Sequence, residues 1–336
     1  MKTSKLKNIT LLLIAFVFFQ ACSNDDDNQT TPQLQPIPEL LTISSEGLYP
    51  GKFDFNAKNN QFVVGSLTKS EVGLVDPQTG DYTTFVTDTN LALVTGIYAD
   101  NANNRLLVAS GDFGFSLNSV GLGKVAYLGV YNLTTGAKIT GVDLAPLHPA
   151  DSFVFANDIT IDNNGNIYVT DSYNPVIYKI NQAYEASIFL DGGEAFENVP
   201  GGGGLALNGI VYIDGNLIVG KTDSGELFKD PLAEPTNFIN VDVPNYLGSD
   251  GFELRSDGAI VMAETGIGPT AGARVLQSTD GWNTAQSIAT FSIDSSEFPT
   301  CVTTAYDGEM YILTSHLSKL TSGNTTHEDY NIYRLQ

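Results

Sequence analysis

Two cysteines in 336 residues leave this chain with almost no thiol chemistry. Cys22 ends an apolar leader, so in the mature protein Cys301 stands alone and no intramolecular disulfide can form; a single cysteine on an apolar strand reads as a small buried group. Cations are scarce as well, with 16 Lys and Arg against 38 Asp and Glu. Removing the leader's Lys2, Lys5 and Lys7 leaves 13 against 38, a net charge of −25, which argues against nucleic acid and anionic membrane surfaces as partners. Only three histidines are present, His148, His316 and His327, and no serine lies in a nucleophile-elbow sequence, so a Ser-His-Asp hydrolase is not indicated. His148 lies in the loop Pro146-Leu147-His148-Pro149 and reads as structural or solvated. Gly201 to Gly204 opens no helix, which excludes a phosphate loop there and leaves a flexible rim as the reading.

What is present begins with a secretory signal over residues 1–21. A basic start precedes the apolar run Ile9 to Phe19, which is too short for a comfortable membrane span, and Ala21 stands directly before Cys22. A small residue followed by cysteine resembles a bacterial lipoprotein box, which implies lipidation of Cys22. The acidic run Ser23 to Asn28 resembles the surface-export signal of Bacteroidetes lipoproteins. The expected location is therefore the cell envelope, as an outer-membrane lipoprotein touching the membrane only through its lipid anchor. Gln29 to Pro38 is rich in Pro, Thr and Gln, and residues 22–38 read as an extended, disordered tether. The remaining residues, 39–336, in a chain that is 42% hydrophobic, suffice for one large domain, expected to be a monomer.

That domain repeats one phrase. Asn157-Asp158-Ile159-Thr160-Ile161 is followed by a turn at Asn163 to Asn166 and by Ile167-Tyr168-Val169-Thr170-Asp171. The phrase returns from Asn208-Gly209, with a turn at Asp214-Gly215, and from Asp250-Gly251, with a turn at Ser256 to Gly258. Each copy is an alternating strand, a tight Asn/Asp/Gly turn and a second β-rich strand, which is a hairpin. Weaker copies start at Gly51, Gly96 and Thr300, making six modules. Short-stranded repeats spaced by about 40 to 50 residues mark propeller blades, so the fold class is all-β: a six-bladed propeller of four-stranded antiparallel blades. The last strand, Tyr330 to Leu335, has no partner downstream, and Leu40 to Ser44 precedes the first hairpin. Their pairing would close the ring and remove an exposed edge.

The innermost strand of each blade starts near one face of the central channel. Asn157, Asn208 and Asp250 head three successive copies, so their oxygens should meet at the channel mouth and suit a hard cation. Asp171 and Asp223 end second strands and read as turn formers.

The dipeptides Asn157-Asp158, Asn208-Gly209 and Asp250-Gly251 resemble, in order, motifs of the gluconolactonase, regucalcin and senescence-marker-protein propellers, to which strictosidine-synthase-like proteins are related. The resemblance runs from about Pro50 to Leu335. It implies that Asn208 and Asp250 ligate a divalent metal, Ca²⁺ or else Zn²⁺, that Asn157 is a further ligand or a substrate contact, and that Asp250 is also the general base. One departure stands out: Gly51, in Tyr49-Pro50-Gly51-Lys52, takes the place of the family's metal-binding glutamate. Glu46 could replace it only if the strand started earlier.

Two functions follow. One is a metal-dependent hydrolase of a lactone or related ester, whose substrate is a small molecule. The other is a non-catalytic surface propeller that binds a glycan or protein partner through its loops.

Overall fold

Six short segments are apolar at nearly every position: Phe62–Val64, Leu106–Ala109, Ile167–Val169, Leu217–Val219, Ile260–Ala263 and Tyr311–Leu313. All are buried, which is what a strand covered on both faces requires. In the computed structural model, which describes residues 35–200 and 205–336, each lies on the second strand of a blade. The six hydrophobic clusters lie mostly between neighbouring blades, so blade stacking makes the core. The signal, Cys22, most of the tether and Gly201 to Gly204 lie outside the described residues.

The innermost strands of blades 1 to 6 are Pro50–Asn56, Leu93–Asp100, Val154–Ile161, Leu207–Ile213, Ser249–Leu254 and Pro299–Thr304. Each pairs antiparallel with the next strand in sequence, and the expected turns join them: Asp214 and Gly215 both take positive φ, 47° and 82°, between paired Ile213 and Asn216. Five of the six sheets have four strands. Blade 3 differs from expectation by a fifth, two-residue strand, Lys124–Val125, which runs parallel to Val154–Phe155 on its axial side. The ring closes as the sequence indicates: Leu40–Ser44 pairs antiparallel with Asp329–Arg334, giving blade 6 its outer strand. Ile37, read above as tether, is 1% exposed in the cluster between blades 6 and 1, so packing begins ahead of that strand.

All six innermost strands share an irregularity that matters for the site. Their ladders shift register between Pro50 and Lys52, Val94 and Gly96, Ala156 and Ile159, Leu207 and Ile210, Ser249 and Phe252, and Pro299 and Cys301. A bulge of this kind adds one residue and re-aims its side chain. The residues in that position are Gly51, Thr95, Asn157, Asn208, Asp250 and Thr300.

Candidate functional site at the channel mouth

Those six residues line one small cavity of about 60 Å³ at the mouth of the channel. Asn157, Asn208 and Asp250, expected to converge, therefore do. Gly51 shares the cavity, at the blade 1 position equivalent to Asn157, Asn208 and Asp250, and brings no side chain to it. Glu46 is exposed and does not line the cavity. The head of blade 2 needs correction: it is Thr95 and not Gly96. Thr300 is a head as the sequence indicates, whereas Thr95 escaped notice, although Thr95-Gly96 has the same polar-glycine form as Asn208-Gly209 and Asp250-Gly251.

The orientation of the two amides is fixed by hydroxyls from the neighbouring second strands. Ser172 Oγ donates to the Leu207 carbonyl at 2.5 Å, so it can only accept from Asn157 Nδ2, 2.8 Å away. In the next blade Thr222 Oγ1 donates to the Ser249 carbonyl at 2.7 Å and accepts from Asn208 Nδ2 at 3.0 Å. Each amide nitrogen is thereby tied down, leaving the amide oxygen as its free end. Asn208 Oδ1 and Thr300 Oγ1 are buried and have no hydrogen-bond partner among the described residues. Buried polar atoms are rarely left this way, and such atoms need an explanation.

Asp250 supplies the only carboxylate among the six heads. Burial pushes it up to about 7, and repulsion from Asp158 adds to this, against the opposing pull of the Lys52 ammonium, the Asn208 amide and the Gly251 N–H.

One residue further along the strands lies a second ring: Lys52, Gly96, Asp158, Gly209, Gly251 and Cys301. Lys52 Nζ reaches from blade 1 to within 2.8 Å of Asp158 Oδ2 in blade 3, with the two side chains 6% and 4% exposed. Burial would lower the Lys52 pKa, but Asp158, Cys301 and Asp250 outweigh it and hold the ammonium above its ordinary value. The glycines of the dipeptides acquire a steric reason here. A Cβ on Gly251 would stand 2.4 Å from Lys52 Nζ, and one on Gly209 would stand 2.2 Å from the Asp250 carbonyl. Cys301 is buried, and its sulfur accepts the Phe53 N–H at 3.2 Å.

Beyond this ring the channel widens into a chamber of about 570 Å³, lined in part by Asp54, Tyr98, Thr160, Tyr212 and Glu253. It is the larger cavity, yet its carboxyls are already engaged. Asp54 accepts from Thr303 Oγ1 at 2.7 Å, Phe55 N at 2.6 Å and Ala99 N at 2.7 Å. Glu253 is hydrogen-bonded to Thr304, and burial, with repulsion from Asp54, pushes it up to about 8.

The other singled-out residues lie off the axis. His148 is bonded to the Tyr178 hydroxyl at 2.7 Å, and Asp171 caps its own turn by accepting from Tyr173 N and Asn174 N. Asp223 accepts from Val199 N at 2.6 Å, which pins a rim loop.

No family model and no curated protein matches the sequence. Among solved structures the chain is similar to the major allergen Mala s 1 of Malassezia sympodialis, with a TM-score of 0.70 at 16% identity over 90% of this chain and 97% of that one. It is also similar to a gluconolactonase from Xanthomonas campestris, with a TM-score of 0.60 at 14% identity over 88% and 89%, and to a luciferin-regenerating enzyme, with 0.59 at 11% over 88% and 95%. Identities this low carry the architecture alone: in fold, this chain is a six-bladed propeller similar to those of gluconolactonases.

Proposed function

We propose that the protein hydrolyses a lactone or related ester at the channel mouth, with Asp250 as the proton acceptor and a divalent cation held by Asn157, Asn208 and Asp250. The observation that carries this is the set of hydroxyl-fixed amides, which leaves the buried Asn208 Oδ1 without a partner among the described residues, in the same cavity as Asp250. An oxygen-only donor set suits Ca²⁺ better than Zn²⁺. Among the described residues no three His, Cys, Asp or Glu side chains form a metal cluster, so the amides are essential to any such site.

When bound, the cation supplies polarisation of the ester carbonyl and acidification of a water. Asp250, which burial holds above the ordinary carboxylate range in the cation-free protein and which the cation would keep ionised, is placed to accept that water's proton. Water oxygen adds to the carbonyl carbon, the ring C–O bond breaks, and the proton passes from Asp250 to the leaving alkoxide, giving a hydroxy acid. Asn157, held by Ser172, orients substrate or shares the cation.

The test is calcium titration by calorimetry together with a lactone panel assayed with and without chelator. Stoichiometric binding and chelator-sensitive hydrolysis are expected; the absence of both would sink the hydrolase reading. Gly51 favours a second reading in that event, since its lack of a carboxylate weakens any cation site. The protein would then be a non-catalytic propeller that binds a glycan or protein partner through its loops.

We further place the protein in the cell envelope, as an outer-membrane lipoprotein anchored through Cys22 and acting as a monomer. Cys22→Ala should abolish palmitate incorporation and release the protein from the membrane fraction. An unlipidated, soluble wild type would refute the anchor.

A further inference from the structure

The mouth cavity, at about 60 Å³, admits little more than the reacting group of a substrate. Whatever the group is attached to must lie against the walls and rim. Above the six heads the lining side chains are Leu67, Phe113, Phe155, Leu205, Phe298 and Leu317, all of them apolar. None can donate to or accept from a sugar hydroxyl.

The apolar lining continues outward. Phe155 packs on Phe113 with ring centroids 4.5 Å apart, and Phe113 on Phe115 at 5.8 Å. On the other side Phe155 meets Tyr173 at 5.3 Å, and Tyr173 meets Phe153 at 6.1 Å. Phe115 and Phe153, the outer ends of this row, are 41% and 55% exposed, and Leu117, Val120 and Leu122 of the Phe115 loop are 78%, 72% and 50% exposed, so the apolar groups gather beside the mouth.

This rim is rigidly built. The buried Asp112 carboxylate accepts from Gly114 N at 2.7 Å, Ser119 Oγ at 2.8 Å, Val120 N at 2.7 Å and Gly121 N at 3.0 Å. Leu117 N also donates to the Thr68 carbonyl in blade 1 at 2.7 Å. Ordering the loop before binding removes that cost from recognition.

We infer that the substrate is a lactone or ester carrying an apolar chain or ring, and not a polyhydroxylated sugar lactone, because a polar floor small enough for only the reacting group opens onto a preordered aromatic and aliphatic wall. This inference rests on the hydrolase reading above. It deepens that reading by assigning specificity to Phe113, Phe115, Leu117 and Phe153.

The test uses the purified full chain with Ca²⁺ and two panels: δ-lactones with progressively longer alkyl chains plus glucono-δ-lactone, assayed for hydrolysis, and the matching alkyl δ-lactams, which resist hydrolysis, assayed for binding by calorimetry. Each added methylene should raise kcat/KM and tighten lactam binding by about 3- to 4-fold until the wall is covered. Glucono-δ-lactone should trail the best alkyl lactone by about 100-fold or more. Leu117→Ser and Phe115→Ser, both at exposed positions, should flatten the chain-length slope. A flat slope in the wild type, or a preference for the sugar lactone, overturns the inference while leaving the hydrolase reading standing. Lactam binding that tightens with chain length but without hydrolysis of any lactone supports the apolar wall and refutes the hydrolase. No binding and no hydrolysis overturns both.

Discussion

The channel's two ends make opposite use of polar groups. At the mouth the cavity is small, yet Asn208 Oδ1 and Thr300 Oγ1 lack partners among the described residues, and the one carboxyl, Asp250, is held near 7. The far chamber is roughly tenfold larger, but Asp54 there has three donors and Glu253 is bonded to Thr304. Unfilled hydrogen-bonding capacity is a better guide to chemistry than volume, because the fold already uses the chamber's carboxylates to tie neighbouring inner strands together. The Lys52–Asp158 ion pair lies between the two regions, so a variant in one can be compared with its counterpart in the other.

The comparison is tested most severely by Asp250→Asn against Glu253→Gln. Removing the proposed base should cost about 10²- to 10⁴-fold in kcat/KM, while the chamber variant should stay within a few-fold of wild type. In the wild type kcat/KM should rise with pH as Asp250 loses its proton, with a midpoint that added calcium moves below about 7. A Glu253→Gln variant as inactive as Asp250→Asn would mean that the chemistry sits in the chamber.

The dividing ion pair comes next. Lys52→Met leaves Asp158 buried without its counter-charge and should destabilise the protein by about 3 to 5 kcal/mol in denaturant titration. Lys52→Met combined with Asp158→Leu should recover much of the loss. Failure of the double variant to recover would show that Lys52 matters through packing against Gly251 and Cys301 and not through its charge.

A smaller effect is expected at Gly51. Restoring a glutamate there looks attractive from sequence, but a Cβ would stand 2.8 Å from the Val94 carbonyl and 2.6 Å from Leu67 Cδ2. Gly51→Glu should therefore cost about 1 to 3 kcal/mol in stability without tightening calcium binding. A calorimetric gain in calcium affinity would show that the blade 1 strand can yield, and that the mouth is more plastic than the packing implies.

The architecture could be read from the sequence because alternation and Asn/Asp/Gly turns are local signals, and each blade repeats them. The three heads Asn157, Asn208 and Asp250 were legible for the same reason. The register at the mouth was harder. Gly51 and Gly96 look equivalent as strand starts, but the bulge aligns Gly51 with Thr95, a one-residue slip that only ladder pairing reveals. Ser172 and Thr222 could be placed at strand ends, but not as the groups that orient the amides of Asn157 and Asn208. Lys52 and Asp158 sit in different blades, and no local pattern joins them. The apolar wall combines residues from several blades, including Leu67, Phe155, Phe298 and Leu317, and exists only once the ring is closed.

The subtlest expected effect concerns the chamber alone and is read in pH. Glu253 moves from an ordinary 4.5 to about 8 in the folded protein, because burial and the neighbouring Asp54 disfavour its charge. Between those values the folded state holds a proton that the unfolded chain has released, so unfolding releases protons and stability falls as pH rises. The contribution is fully present below about 4.5 and is lost as pH passes through about 8. Denaturant midpoints across this window should drift downward in the wild type. Glu253→Gln, which cannot ionise, should lessen the drift up to about 8, whereas Asp250→Asn should lessen only the part that lies below about 7, a part Asp230 shares. A wild-type profile that Glu253→Gln leaves unchanged over the same window would mean that Glu253 is already ionised in the fold above 4.5. The chamber would then no longer differ from the mouth in the way the hydrogen bonds of Asp54 and Glu253 require.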